Sequence, residues 1–435
     1  MPAEPLYPLP RYSGGGLGWG FFLEFGDTAP SPTLPRKYRG RGKYKCVFPA
    51  STISFIRTSL TVPVGHRYKT GMSDANSADE SLDPLRQRID GLDEQIVRLL
   101  NERARVVVQI GKIKQQSNAP IYAPDREKAV LDKVRKLNEG PLPDRCLEAV
   151  YRELMSGSFA LEKPLRIGFL GPAGTFSHAA AVRKFGSSVE YVPMTEIASV
   201  FTEVARGHID YGLVPVENSI GGGVVDTLDA FLHSSAKICA EVLITIHHNL
   251  LVNEPWEQVR RIYSKPEVFS QCRNWLSATA KDRDIQPAAS TSAAAELAAK
   301  TPGAAAIGST IAGELYGLKV LFENIEDNPD NVTRFFVIGR EAARRGGDDK
   351  TAIMFTTAHK PGALAEVLDV FKENGINLTD IEKRPSKKVN WEYYFFIDAQ
   401  GHTDDPAMQS AIEQAKQHCL QLTVLGSYPR ATEVL

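Results

Sequence analysis

Apolar residues are spaced along this chain in three successive ways. From 85 to 113 they fall at Leu85, Ile89, Leu92, Ile96, Leu99, Val106, Ile110 and Ile113, in steps that alternate four and three. That is a coiled-coil-like seam on one helix of about 30 residues, roughly 45–50 Å long. Asp83-Pro84 supplies a capping carboxylate and a first-turn proline at its start. A seam of that length outruns the cover its own chain can give, so it predicts a partner helix from a second copy. A second helix opens at Pro124-Asp125, and a third carries Tyr151, Met155, Ser158 and Glu162 along one stripe.

From 165 to 338 the pattern changes to alternating strand and helix signals. A buried strand at 165–170 runs into the glycine turn Gly171 to Ser177 and a helix, followed by signals at 190–194, 195–206 and 211–216. A second set spans a strand at 238–252, another at 261–263, a helix at 266–276 and a further helix at 293–300. The chain then returns through 320–325 to 332–338. Alternation with a late return predicts two α/β lobes around a cleft. After the polar linker 341–349, residues 351–430 read β-α-β-β-α-β, a ferredoxin-like α+β unit.

Composition narrows the class. The 435 residues are 43% hydrophobic and 24% charged with net charge −1, which describes a soluble globular chain of several domains. There is no basic excess to argue for nucleic acid or a membrane surface, and no apolar run approaches the roughly 20 residues a span needs. Cys46, Cys146, Cys239, Cys272 and Cys419 form no CxxC pair, so reduced thiols and a cytoplasmic setting are expected. Residues 1–71 are rich in Gly, Pro and Ser, with basic residues and few acids. They read either as a targeting segment or as an extension upstream of a start at Met72, the second being preferred.

The candidate chemistry begins on the seam. Its next position after Leu99 is Arg103, and a charge on an apolar stripe costs several kcal/mol unless it meets an anion. Lys114 lies eleven residues on, about three turns, and shares that face. Arg86, seventeen residues before Arg103, points elsewhere and would serve the site of a second copy. Single surface cations on long helices are ordinarily solvated. Arg103 and Lys114 together describe a cationic pocket suited to a small dicarboxylate.

In the second region the Gly171–Ser177 turn offers helix N–H groups with Thr175 and Ser177, an anion site. Gly168, Gly171 and Gly174 follow GxxGxxG and not GxGxxG, so a dinucleotide-binding dehydrogenase is disfavoured. The segment Asn331-Val332-Thr333-Arg334-Phe335-Phe336 sets a hydroxyl beside a guanidinium, with Phe335 and Phe336 read as core. His247 and His248 lack a third ligand at metal-like spacing, so no metal is assigned.

The motifs Gly171 to Ser177, Pro215 to Gly222 (through Glu217-Asn218-Ser219) and Asn331 to Phe336, in this order, resemble prephenate dehydratases. Leu85-Arg86, Glu102-Arg103, Gly111 to Lys114 and Asp125-Arg126-Glu127 resemble the all-helical chorismate mutases. Gly362-Ala363-Leu364 and Glu382-Lys383-Arg384-Pro385 resemble the two phenylalanine-site motifs of ACT domains, with Lys383 where Ser is usual. The combined resemblance, to bifunctional chorismate mutase–prephenate dehydratases, spans 82–430.

It implies a helical mutase at 80–163, a two-lobed, periplasmic-binding-protein-like dehydratase at 164–340 and an ACT regulatory domain at 350–430. It implies chorismate and prephenate as substrates, phenylalanine as effector, a homodimer or homotetramer, and no cofactor. Arg103 and a second copy's Arg86 would bind the substrate carboxylates in the mutase. Arg126 and Glu127 would contact the ring side, Glu127 taking the hydroxyl, and Ser158 would complete the pocket, while Lys114, hydrogen-bonding the ether oxygen, and Glu162 are the catalytic candidates. In the dehydratase, Thr333 and Arg334 are the catalytic candidates. Thr175, Ser177, Glu217, Asn218, Ser219 and Thr291 would line the cleft. Arg334 and the Thr175/Ser177 helix terminus are candidates for the substrate carboxylates, while Thr333, Glu217 or Asn218 would serve the leaving hydroxyl. Gly362, Ala363, Leu364, Asn377, Glu382, Arg384 and Pro385 would hold phenylalanine. Two rivals remain on the sequence: an arogenate dehydratase, and a ligand-binding regulator without chemistry.

Ala123 stands where some mutases carry a carboxylate, and Glu162 where others carry glutamine. A glutamate donates to the substrate ether oxygen only when protonated. Mutase turnover is therefore expected to fall with rising pH, and Glu162→Gln to flatten the profile. A variant profile with the native slope would remove Glu162 from the mechanism.

Overall fold

The computed structural model describes residues 75–117, 120–386 and 392–435, and everything below concerns the unit 75–435. The expectation for 1–71 lies outside the described residues.

Three helices come first: α1 (Ala75–Ser117), α2 (Pro124–Leu137) and α3 (Asp144–Glu162). At 43 residues α1 is longer than the apolar seam, and it runs through Pro84 instead of starting there. The proline forfeits one backbone hydrogen bond within the helix. On the side facing α3, Val107 and Gly111 are buried, and a Cβ at Gly111 would meet Glu162 at 3.1 Å. The seam itself is uncovered, its eight residues being 43–65% exposed.

Two sheets follow. The first lobe holds β1 (Arg166–Leu170), α4 (Phe176–Phe185), β2 (Glu190–Met194), α5 (Ile197–Arg206), β3 (Tyr211–Asn218), β4 (Gly222–Gly223), α6 (Val225–Phe231) and β5 (Lys237–Thr245). The second holds β6 (Asn249–Val252), β7 (Arg261–Ser264), α7 (Pro266–Gln271), α8 (Arg273–Thr279), β8 (Asp284–Pro287), α9 (Thr291–Lys300), β9 (Ala304–Gly308), α10 (Thr310–Tyr316) and β10 (Lys319–Phe322). The chain then returns as β11 (Val332–Gly339), which enters the first sheet antiparallel between β3 and β5, giving the order β2-β1-β3-β11-β5. The second sheet is ordered β10-β6-β9-β7-β8. This is the two-lobed, binding-protein-like architecture expected. The single strand expected at 238–252 divides into β5 and β6, because the chain changes sheets at Ile246-His247-His248.

The last unit is β12 (Asp349–Thr356), α11 (Ala363–Glu373), β13 (Leu378–Pro385), β14 (Tyr393–Gln400), α12 (Pro406–His418) and β15 (Gln421–Pro429), in the ferredoxin-like order β13-β14-β12-β15. Its helices cover one face of this sheet. The other face docks on the first lobe, where Ala352, Met354, Phe396, Leu425 and Tyr428 share a core with Phe336, Ile338 and Phe231. No helix among the described residues is long and apolar enough to cross a membrane.

Docking needs a glycine at 426. A Cβ there would lie 2.8 Å from the Ile238 nitrogen, against backbone of β5 that cannot rotate aside. Gly426→Ala is expected to cost about 1–3 kcal/mol by overpacking and to lower the thermal midpoint. An unchanged midpoint would mean that the sheets do not approach this closely.

Candidate active sites

Along the α1–α3 contact two polar rungs form. Arg103 donates to the Ser158 hydroxyl at 2.9 Å, and that hydroxyl donates to the Leu154 carbonyl. Lys114 donates at 2.9 Å both to Glu162 and to the Ile121 carbonyl. The structure thus brings together Arg103, Lys114, Ser158 and Glu162. Arg86 lies roughly 25 Å up the helix from Arg103, bonded to Asp83 at 3.1 Å, and cannot reach this set from the same chain. Arg126 is exposed on α2. Glu127 is turned to the first lobe, where Lys184 of α4 meets its carboxylate at 2.8 Å and Tyr122 donates to the same oxygen at 3.1 Å. Sequence reasoning had no signal for Lys184, because the partner sits 57 positions away in another element.

The lobes meet around the loop before α4. Ser292 of α9 donates to the Ala173 carbonyl, and Ser309, the cap of α10, donates to the Gly174 carbonyl at 2.9 Å. Ser290 caps α9. Thr175 does not offer a free hydroxyl. It caps α4 by accepting from the His178 amide and donates to the Leu170 carbonyl at 3.1 Å. Ser177 is buried in the first turn of α4, and Thr291 is buried in the first turn of α9. His178 Nδ1 accepts from the Gly174 amide at 3.2 Å, and burial pushes the imidazole below its usual range.

Thr333 and Arg334 part company. Successive strand residues face opposite ways, and β11 puts Thr333 on the Phe335 side and Arg334 on the Phe336 side, its guanidinium 4.7 Å over the Phe336 ring. On the first side Asn218 donates to Thr333 Oγ1 at 2.8 Å and to Asn331 Oδ1 at 2.7 Å. The Asn218 carbonyl accepts from the amides of Ile220 and Gly221, at 3.1 and 2.9 Å. Those two amides fix which end of the Asn218 side chain is oxygen. Ser219 latches the same turn to β11, accepting from Val332 N at 3.0 Å.

Arg334 and Glu217 do not line the cleft with Thr333. The pairing of β3 with β11 shifts register between Arg334 and Phe335, leaving Val216 as an extra residue. Such a bulge re-aims side chains, and Glu217 joins Arg334 on the side of the ferredoxin-like sheet. There Glu217, Asp380, Glu382 and Asp398 border one small cavity. Arg334, 7% exposed, pairs with Glu241 at 2.9 Å and with Asp398, and donates to Tyr428 at 3.1 Å. Burial opposes its charge, but Tyr428, Asp398 and Glu241 more than offset that and raise its pKa.

The two histidines belong to the crossing between lobes. Glu326 accepts from the His248 amide at 2.9 Å and pairs with His247 Nδ1 at 2.7 Å, while Gln271 bonds His248 Nε2 at 2.7 Å. Burial lowers the pKa of His248. Asn331, Gln271 and Glu326 had no role in the sequence reading, since each acts through a residue distant in the chain.

In the last unit, Gly362 takes φ +82° ahead of α11. Ala363 and Leu364 border a cavity of about 370 Å³ with His359, Tyr393 and Phe395. Glu382 and Arg384 do not reach it within one chain. They face the first lobe, Arg384 pairing with Asp229 at 2.9 Å and Glu382 lying against Gly223. Asn377 and Pro385 are exposed.

Family profiles match this layout in order: chorismate mutase type II over 85–163, prephenate dehydratase over 167–343 and ACT domain over 351–417. A bifunctional chorismate mutase/prephenate dehydratase of Aquifex aeolicus is 43% identical, the match covering 81% of this chain and 99% of that protein. Among solved structures, a prephenate dehydratase from Arthrobacter aurescens in complex with L-Phe is 36% identical at a TM-score of 0.57. That match covers 61% of this chain and 90% of the other. A structure described as a quorum quenching acylase also has a TM-score of 0.57, at 26% identity, over 61% of this chain and 98% of its own. The arrangement is that of a two-enzyme chain with a regulatory module. The chain belongs to the bifunctional chorismate mutase/prephenate dehydratase family.

Proposed function

We propose that this chain rearranges chorismate to prephenate at the α1–α3 contact and converts prephenate to phenylpyruvate between the two lobes. Phenylalanine restrains the second step from the ACT domain, and both steps run in the cytoplasm. The rearrangement is unimolecular, so the site has only to hold a compact conformer and stabilise charge on the ether oxygen. Arg103 and Lys114 supply cations, and Ser158 and Glu162 complete the pocket. Arg86 comes from a second copy, whose α1 would also cover the open seam, so the working unit is a dimer or an assembly of dimers.

Prephenate must lose a ring carboxylate and the ring hydroxyl together. The electrons of the breaking carbon–carbon bond enter the ring as the carbon–oxygen bond breaks, releasing carbon dioxide and hydroxide that ends as water. The geometry that carries this reading is Asn218 donating to Thr333. With its oxygen already accepting, the Thr333 hydroxyl turns its own hydrogen outward and donates it to the departing oxygen. The first turns of α4 and α9 offer amides to the substrate carboxylates, the part Arg334 had been expected to play.

Asn218→Asp tests the orientation, because the new carboxylate would keep the turn and draw the Thr333 hydrogen inward. Prephenate turnover by the whole chain should fall by about a hundredfold in kcat, while chorismate consumption stays at the native rate. Native kcat on prephenate in that variant would take Thr333 out of the role.

A further inference from the structure

Thr333 cannot be described apart from Arg334, its neighbour on β11. Their Cα atoms are about 3.8 Å apart, and their side chains serve opposite faces of the first sheet. The Arg334 side chain is buried among groups from two units of the chain. Glu241 comes from β5 beside it, whereas Asp398, Asp380 and Tyr428 come from β14, β13 and β15 of the ferredoxin-like sheet. Glu241 is shared with Lys350 at 3.2 Å, so it does not belong to Arg334 alone. Asp398 has Tyr428 as its other partner, at 3.4 Å.

Strand β14 faces both ways. Phe395 borders the cavity beside Ala363 and Leu364, and Asp398, about 10 Å along the same strand, lies on the opposite face against Arg334. A ligand that repacks Phe395 therefore acts on a strand whose far face holds the cation next to Thr333. The contact is also acidic to excess. Burial and the neighbouring Glu217 push the Asp380 carboxyl up, with Arg334 drawing it down. An ion cluster of this kind has few intermediate arrangements, since a buried charge parted from its partner is heavily penalised.

We propose that Arg334 is a positioning residue that ties Thr333 to the regulatory sheet. The Arg334–Asp398 pair would transmit occupancy of the cavity at Gly362–Leu364 to the dehydratase step. The proposal rests on the reading of that cavity as a phenylalanine site. Arg334 then acts on the reaction through its strand and not by touching prephenate.

The test uses the full chain carrying Asp398→Asn, which keeps the shape of the side chain, removes its charge and leaves one oxygen to accept where the carboxylate has two, one bonded to Arg334 and one to Tyr428. Phenylalanine binding is measured by calorimetry, and prephenate turnover is followed against phenylalanine concentration. Coupling between two sites is a free energy separate from either affinity, so it can be lost while both ligands still bind. The expected result is phenylalanine affinity near native with the concentration for half-inhibition raised about tenfold or more. A merely structural role would move binding and inhibition together.

Native-like inhibition by phenylalanine in Asp398→Asn would overturn the proposal. Asp380→Asn, at the looser 3.8 Å contact, provides the second variant should the first not fold. It is expected to shift inhibition the same way by a smaller factor, and an unshifted curve there also overturns the proposal. A native chain that neither binds phenylalanine nor slows in its presence would instead remove the reading of the regulatory module, and this proposal with it.

Discussion

A strand must show alternate residues to its two faces, and the chain is organised around that constraint at β11. This strand returns from the second lobe to lie between β3 and β5, so its residues are flanked by backbone on both sides and cannot slide. One face holds Thr333 under the Asn218 amide. The other holds Arg334 among the carboxylates of two modules. The register shift beside Val216 lets β3 match this division, sending Asn218 to one side and Glu217 to the other. The geometry proposed for the dehydratase step and the docking of the modules are therefore set by the same eight residues.

The fold was largely legible because it rests on periodicity. The four–three seam marked α1, alternation with a late return marked the lobes, and the β-α-β-β-α-β order marked the last unit. Boundaries were less so: α1 extends through Pro84, and the run at 238–252 breaks where two histidines cross between sheets. Nothing local in that run announces a change of sheet, since both halves are equally apolar.

The site was legible in residue type more than in placement. Adjacent letters suggested that Thr333 and Arg334 shared one pocket, although strand geometry alone forbids two neighbours from pointing the same way. Thr175 is a helix cap, a role its position before Phe176 could have revealed. The partners of Glu127 and Arg334 were invisible because ion pairs between modules leave no trace in spacing. Arg103 was found for the opposite reason. Its charge interrupts an apolar stripe, which is a local signal.

The Glu127–Lys184 pair and the buried Tyr122 bear on what separating the two halves of the chain would cost. Tyr122 lies at the start of α2 but packs against Phe159, Phe185 and Tyr211, the last two from the lyase lobe. Its hydroxyl and the lyase's Lys184 both end on a carboxylate of the helical module. Cutting the chain at 163–164 would therefore expose a hydrophobic hollow on one piece and orphan a charge on the other. Each half thereby carries part of the other's solubility.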